Sequence, residues 1–143
     1  MSKRHKMRPC PYCGGPVKIR KFYGRDIVEC RPCDARTGLS SCHSRLTMQV
    51  ARREDRKLRR IGHERSDLLI AVCRRVRRCS KTQARSRFYQ WLAEELDIPS
   101  REAHFSVMVG QRLRDALTAI NRYYKPLQVK HKRLTEQGRG VSW

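Results

Sequence analysis

The hydrophobic pattern in the middle of the chain is that of an amphipathic helix. No proline occurs between Arg45 and Arg78, and apolar residues recur there at steps of three and four positions, with Arg65 as the exception. This is the spacing of one helical face. We predict one long helix, or two helices if Gly62 divides the stretch. The predicted apolar face consists of Leu58, Ile61, Leu68, Leu69, Val72 and Val76.

Two further helices are predicted downstream. Ser80 and Gln83 have the spacing of a capping box, which opens a helix. A third helix is expected over residues 111–124, and Pro126 is expected to stop it. The side chains expected to form the core are Phe88, Trp91, Leu92, Leu96, Leu113, Leu117 and Ile120.

A shorter pattern near the N-terminus predicts a β-hairpin. Val17 and Ile19 precede, and Ile27 and Val28 follow, the turn sequence Tyr-Gly-Arg-Asp at residues 23–26. The two apolar pairs therefore mark the two strands of the hairpin.

Two Cys-x2-Cys pairs bracket this hairpin: Cys10 with Cys13, and Cys30 with Cys33. Such a pair can direct both sulfurs at one point, and two pairs supply the four ligands of a structural zinc site. The alternatives are disulfides or a redox-active Cys-x2-Cys. Seven cysteines, an odd number, and the lack of a secretory signal favour a reducing compartment. We therefore predict one structural Zn2+ ion.

These elements predict a small α+β protein in which an N-terminal four-cysteine zinc ribbon, built on a β-hairpin, packs on a mainly α-helical body of three to four helices. A basic C-terminal tail is expected to order only on contact with a partner. The predicted divisions are a basic lead-in over 1–9, the zinc ribbon over 10–42, a basic helical domain over 43–125 and the tail over 126–143.

The net charge of the chain bears on its function. The chain has 34 Lys and Arg against 13 Asp and Glu, a net charge of +21, and the excess is spread over all parts of the chain. Such a charge repels itself unless a polyanion neutralises it, so nucleic acid is the expected partner. An acidic protein surface is the alternative. No apolar run is long enough for a membrane span, and we expect a cytoplasmic protein with no membrane partner.

The candidate nucleic-acid contacts lie on the ribbon and on the long helix, where exposed cations can hold phosphates and aromatic rings can stack on unpaired bases. Tyr12 and Phe22 are further stacking candidates. Packing of the ribbon on the helices is the alternative for these two and for Tyr23, and for Phe22 the two interpretations are equal. RNA is slightly favoured over duplex DNA. The predicted residues are Lys18, Arg20, Lys21, Tyr23 and Arg25 on the ribbon, and Arg52, Arg53, Arg56, Lys57, Arg59, Arg60, Arg74, Arg75, Arg77 and Arg78 on the helix.

Other candidate sites have weaker patterns. His63 and Asp67 lie one helical turn apart and could form a catalytic dyad, although helix packing is the simpler interpretation. A second metal site would draw on residues whose spacing follows no common ligand pattern, and free cysteines are usually buried. Its candidates are Cys42, His43, Cys73 and Cys79, with His63 or His104.

A helix-turn-helix is a further alternative, with residues 100–109 as the helix that reads bases. Phe105, Val107 and Val109 alternate, however, which favours an extended segment. The sequence contains no phosphate-binding glycine loop, catalytic carboxylate pair or nucleophile motif. Four thiolates also leave a zinc ion no open position for water. We therefore expect that the protein is not an enzyme.

Several motifs follow one another in a characteristic order. They are Tyr-Gly-Arg at 23–25, Cys-Arg-Pro-Cys-Asp-Ala at 30–35, His63 with Asp67, Tyr-x-Trp-Leu-Ala-x-x-Leu-x-Ile at 89–98, and His104. In these motifs the chain resembles, over about residues 10–117, a family of small phage and bacterial proteins known as a zinc-finger-containing domain. It departs from the family at Ser66, Asp97 and Ala103, where the family has Phe, Gly and Cys.

This resemblance implies the fold and the zinc. The ribbon is also similar to that of Lar-type phage restriction-alleviation proteins. By association, the resemblance suggests a phage-encoded protein with a host-takeover or counter-defence role. The alternative to nucleic-acid binding is then an inhibitor or adaptor that binds a host or defence complex, such as a nuclease, a polymerase or a ribosome.

Overall fold

The computed structural model describes residues 7–39 and 49–136, without the side chains of residues 129 and 131–136. Cys42, His43 and residues 137–143 lie outside the described residues. The described chain is a small α+β protein, as predicted. Its elements are β1 (Lys18–Phe22), β2 (Arg25–Cys30), β3 (Ala35–Gly38), α1 (Arg53–Arg77), α2 (Lys81–Leu96), a 3-10 turn (Ser100–Glu102) and α3 (Gly110–Glu136).

The ribbon is a three-stranded antiparallel sheet in the order β1-β2-β3. The predicted hairpin is confirmed: Phe22 pairs with Arg25, and Tyr23 and Gly24 form the turn between them. β3 was not predicted, because Ala-Arg-Thr-Gly has no apolar alternation. It pairs with β2, and Cys30 lies opposite Ala35. The ribbon meets the helical body where Arg36 forms a β-bridge with Ala51.

α1 is one continuous helix of 25 residues, so Gly62 does not divide it. A Cβ atom at position 62 would lie 2.5 Å from Cε1 of the Phe105 ring, and such a distance is too short for two carbon atoms. Gly62 therefore lets the loop before α3 approach the helix backbone.

The predicted apolar face of α1 is wrong in its position. The face that is buried carries Asp55, Arg59, Gly62, Ser66 and Ile70. Most of the predicted leucine, isoleucine and valine side chains are only half-buried, and Val76 is 72% exposed. Polar side chains are among the most buried of this helix, because they form hydrogen bonds with backbone groups and with a tyrosine of the ribbon.

The main core lies between α1, α2 and α3, as predicted. Phe88, Leu92, Leu113 and Ile120 are buried there, and Trp91 and Leu96 pack at its edge. The capping box of Ser80 and Gln83 is present at the start of α2. The prediction missed Phe105 and Met108, which are among the most buried side chains.

The segment before α3 is neither an extended strand nor a recognition helix. After the 3-10 turn at Ser100–Glu102 it runs as loop and turn to α3. The alternating Phe105 and Val107 are buried because the loop folds inward, with N–H groups of Val107 and Met108 donating to the carbonyl of His104. Both the extended segment and the helix-turn-helix reading helix over 100–109 are therefore wrong.

α3 continues past the predicted stop at Pro126 to Glu136. A proline inside a helix removes one backbone hydrogen bond, but the residues on both sides, such as Lys125 and Leu127, favour helix. The boundary predicted at 126 therefore falls within a helix. None of the helices in the described ranges is both long and apolar enough to cross a bilayer.

We expect Asp97→Gly to stabilise the protein. Asp97 ends α2 in the left-handed conformation, with φ 51° and ψ 50°. Glycine has no steric penalty in this region, so the gain in the free energy of unfolding should be about 1 kcal/mol. Thermal unfolding should show an increase in Tm of roughly 3 °C.

The matched control is Asp115→Gly, which replaces an exposed aspartate inside α3. That change should lower the free energy of unfolding by about 0.5 kcal/mol, because glycine is a poor helix former. If both variants lost stability, the explanation by left-handed geometry would be incorrect.

Candidate metal centre and cationic surface

The sulfurs of Cys10, Cys13, Cys30 and Cys33 form a compact cluster in the ribbon. All four Sγ atoms lie within 4.8 Å of one another, and those of Cys13 and Cys30 are 3.6 Å apart. A disulfide needs an S–S distance of about 2.05 Å, and the described cysteines are free. The alternative of a disulfide pairing is therefore not realised here.

Two similar backbone turns bring the sulfurs together. In the first, the N–H of Gly14 donates to the carbonyl of Cys10 at 2.8 Å. In the second, the N–H of Asp34 donates to the carbonyl of Arg31 at 3.0 Å. Gly14 and Asp34 each follow the second cysteine of a pair, and both are left-handed, with φ 71° and 48°. Each turn thus presents two sulfurs to the same point.

The cluster has the dimensions and chemistry of a zinc site. A zinc ion with Zn–S bonds of about 2.3 Å holds its sulfurs about 3.8 Å apart. Cys10 and Cys30 are each 2% exposed, and burial raises the pKa of the Cys30 thiol to about 12. Its thiolate therefore needs the charge of a cation beside it. At Cys13 the N–H of Gly15 donates to Sγ and lowers the thiol pKa to about 7.

Tyr12, inside the first Cys-x2-Cys pair, connects the metal centre to the helical body. Its hydroxyl donates to Oδ2 of Asp55 and accepts from the backbone N–H of Arg52 at 3.1 Å. The Arg52 guanidinium lies over the Tyr12 ring, 4.4 Å from its centroid. Burial and the bond to Asp55 raise the pKa of Tyr12 to about 12, so its hydroxyl stays protonated. Tyr12 is therefore a structural contact, and the prediction that it offers an open stacking surface is wrong.

Asp55 joins three parts of the chain at one carboxylate. It is 5% exposed. The same Oδ2 atom that accepts from Tyr12 also accepts from the backbone N–H of Gly110, at the start of α3, at 3.2 Å. We call this arrangement of Tyr12, Asp55 and Gly110 the ribbon clasp. The spacing of these residues could not reveal it, because they are far apart in the sequence.

Arg59 is a buried structural residue, so its predicted role as a surface contact is wrong. Only 8% of it is exposed. Its Nε donates to the carbonyl of Met108 at 3.0 Å and its Nη1 to that of Gln49 at 2.9 Å, while Nη2 is buried and has no hydrogen-bond partner among the described residues. Burial lowers the pKa of Arg59 to about 10, so it stays charged at neutral pH.

The other predicted cations of α1 differ in their burial and in their contacts. Arg56 is half-buried and donates to the carbonyl of Ala51 at 2.7 Å. Arg52 is exposed but is held over the Tyr12 ring. The exposed cations Arg53, Lys57, Arg60, Arg74, Arg77 and Arg78 have no carboxylate within ion-pair distance among the described residues. Arg75 is also exposed.

The exposed cations of α1 that have no ion pair with a described residue form two groups. Arg53, Lys57 and Arg60 follow one line of the helix at steps of four and three residues, and this line reaches Glu64 and Asp67 before the second group begins. At 1.5 Å per residue, Arg60 and Arg74 are about 21 Å apart along the axis. We call Arg53, Lys57 and Arg60 the first α1 cluster, and Arg74, Arg77 and Arg78 the second.

The ribbon cations are more closely paired than those of α1. Arg20 lies 3.4 Å from Glu29, and Lys21 lies 3.0 Å from Asp26. Lys18 and Arg25 are exposed and have no ion pair in the described part of the chain. Tyr23, at the tip of the hairpin, is 92% exposed.

The remaining candidates that the structure describes do not assemble a second site, and Cys42 and His43 lie outside the described residues. Outside the ribbon, the described residues contain no further group of three His, Cys, Asp or Glu side chains close enough to share a metal ion. Cys73 and Cys79 are half-buried against the core. The ring of His63 packs on that of Phe105, with centroids 4.9 Å apart, and the ring of His104 packs on that of Tyr89 at 4.3 Å.

Comparison with known proteins supports the same conclusion about the metal. The family described as a zinc-finger-containing domain matches residues 6–123, and the four-cysteine cluster lies inside that range. Searches of curated proteins and of solved structures found no match, and the similarity to Lar-type ribbons stays a prediction. The cluster is a site for one structural zinc ion. Because the match covers most of the chain, this protein belongs to the zinc-finger-containing domain family.

Proposed function

We propose that this zinc-binding protein binds nucleic acid, chiefly through the phosphate backbone. The observation that carries the proposal is the set of exposed cations in the two α1 clusters, which have no ion pair within the described part of the chain. The helix is about 37 Å long, and both of its ends present arginine or lysine to solvent. Charges that served only solubility or helix stability would be expected in pairs of opposite sign.

Phosphates are the partners that these side chains fit. A guanidinium group can donate two parallel hydrogen bonds to a phosphate, and α1 presents arginine at most of its exposed cationic positions. Neutralising phosphates releases counterions, so the affinity should fall steeply as salt is added. If about six phosphates are contacted, the affinity should fall about a thousandfold between 50 and 200 mM salt.

The direct test replaces the first α1 cluster by glutamine, as Arg53→Gln, Lys57→Gln and Arg60→Gln together. We expect affinity for a labelled oligonucleotide to fall about tenfold or more, and the slope of log affinity against log salt to become shallower by about 3. Fluorescence anisotropy over a salt series measures both quantities. Circular dichroism should show that the helices are retained, because these side chains are exposed.

The matched control makes the same change in net charge at exposed cations on α2 and α3, as Lys81→Gln, Arg87→Gln and Arg114→Gln. This control should bind more tightly than the α1 variant and keep a steeper salt slope. If wild-type affinity did not change with salt, the proposal would be wrong.

A pull-down with nuclease treatment tests the alternative partner class. Nucleic-acid binding predicts that captured host components are released when RNA and DNA are degraded. A partner retained after nuclease would favour an inhibitor or adaptor that binds protein. A phage origin, a counter-defence role, a cytoplasmic location and the lack of enzymatic activity stay predictions.

A further inference from the structure

The tip of the β1–β2 hairpin is a two-residue turn made by Tyr23 and Gly24. Both residues have positive φ, 47° at Tyr23 and 76° at Gly24, which is the pattern of a type I′ hairpin turn. Asn, Asp or Gly is favoured at the first of these positions, because a bulky side chain is strained at positive φ. Tyr23 is therefore a poor choice for the turn itself.

Tyr23 is also unusual in its exposure. Its side chain is 92% exposed, so burial does not compensate for the strained backbone. The turn requires positive φ here but does not require a tyrosine, and residues held in strained backbone conformations cluster at functional sites. A large aromatic ring that is both strained and open to solvent therefore points to a ligand.

The Tyr23 ring contacts a second aromatic ring, and arginines near it give the tip a positive charge. The Phe22 ring lies edge-to-face with it, with centroids 4.6 Å apart and planes at 85°. The Arg36 guanidinium lies 4.8 Å from the centroid of Phe22. Arg25, on the other side of the turn, is exposed. The exposed Tyr23 ring thus contacts the Phe22 ring, and two arginines, Arg25 and Arg36, lie in the same part of the ribbon.

We propose that this tip binds an unpaired nucleobase, which stacks on the Tyr23 ring while Arg25 and Arg36 contact the adjoining phosphates. The inference rests on the proposed function and specifies the part of a nucleic acid that the ribbon selects. Single-stranded segments offer bases whose faces are free to stack on an aromatic side chain. In a duplex those faces are covered by neighbouring bases.

The test variant is Tyr23→Asn, which removes the ring and supplies a residue that suits the turn. Binding of single-stranded RNA and DNA oligonucleotides should weaken about tenfold, whereas binding of a blunt duplex should stay within about twofold. Zinc content should be unchanged, and the Tm should equal or exceed that of the wild type, because the turn is relieved of strain. Tyr23→Trp should keep the single-strand affinity.

The outcomes separate this inference from the proposed function. If Tyr23→Asn left single-strand binding unchanged while the first α1 cluster variant lost it, the inference would be wrong and the proposed function would stand. An equal loss on duplex and single strands would also overturn the inference. If the wild type bound no nucleic acid, the proposed function itself would be wrong. A loss for both RNA and DNA would support stacking on the base, which the two share.

Discussion

Cys30→Ser should abolish stoichiometric zinc binding and unfold the ribbon. Cys30 is buried, pairs in β2 with Ala35 of β3, and supplies one of the four sulfurs. Structural zinc contributes on the order of 10 kcal/mol to the folding of small zinc domains, and the small apolar cluster of the ribbon cannot replace it. Zinc analysis and limited proteolysis should show a variant without metal that is cut within residues 10–39.

Cys73→Ser provides the matched control, because Cys73 is half-buried in α1 and takes no part in the cluster. It should keep one zinc ion per chain and lose about 1 kcal/mol of stability or less. Treatment of the wild type with a chelator should reproduce the Cys30→Ser pattern. A Cys30→Ser protein with a full equivalent of zinc and an uncut ribbon would refute the tetrathiolate assignment.

Asp55→Ala should be the most damaging single change at the junction of ribbon and helices. It leaves the Tyr12 hydroxyl and the Gly110 N–H without their acceptor and removes a negative charge near the buried Arg59. Breaking a buried charged network in this way costs about 3–5 kcal/mol. Urea unfolding followed by circular dichroism should show this loss.

Two further variants show whether the loss comes from the ribbon clasp. Asp67→Ala removes an exposed aspartate from the same helix and should change the free energy of unfolding by about 0.5 kcal/mol or less. Tyr12→Phe removes one of the two donors to Asp55 and should lose an intermediate amount, about 1–2 kcal/mol. If Asp55→Ala and Asp67→Ala were equally mild, the ribbon clasp would not hold the two parts together.

The features that sequence predicts well are those that depend on neighbours in the chain. The two Cys-x2-Cys pairs, the hairpin between them and the capping box of Ser80 each use residues a few positions apart, so spacing alone identifies them. The metal centre could be predicted in full for the same reason: each pair forms its own turn, and one hairpin brings the two pairs together.

The features that sequence missed depend on contacts between distant segments. The sequence predicts Arg59 at the surface with the other arginines of α1. In the structure, the carbonyls of Gln49 and Met108 accept hydrogen bonds from its guanidinium group and so lower the free-energy cost of burying it. The sequence alone allows a helix break at Gly62, whereas the close approach of the Phe105 ring explains the glycine. Pro126 was expected to end α3, but one lost hydrogen bond does not outweigh the helix-forming residues on both sides.

The ribbon clasp determines how avidity can arise in this protein. Many zinc modules are joined to their neighbours by flexible tethers, and the second contact with a ligand then requires that the tether become ordered. Here hydrogen bonds from Tyr12 and Gly110 to one carboxylate, and the bridge between Arg36 and Ala51, replace such a tether. When a ligand contacts both the ribbon and α1, the protein therefore loses little conformational entropy, because no tether must become ordered. Whether both contacts form then depends on whether the shape of the ligand matches the fixed arrangement of the ribbon and α1.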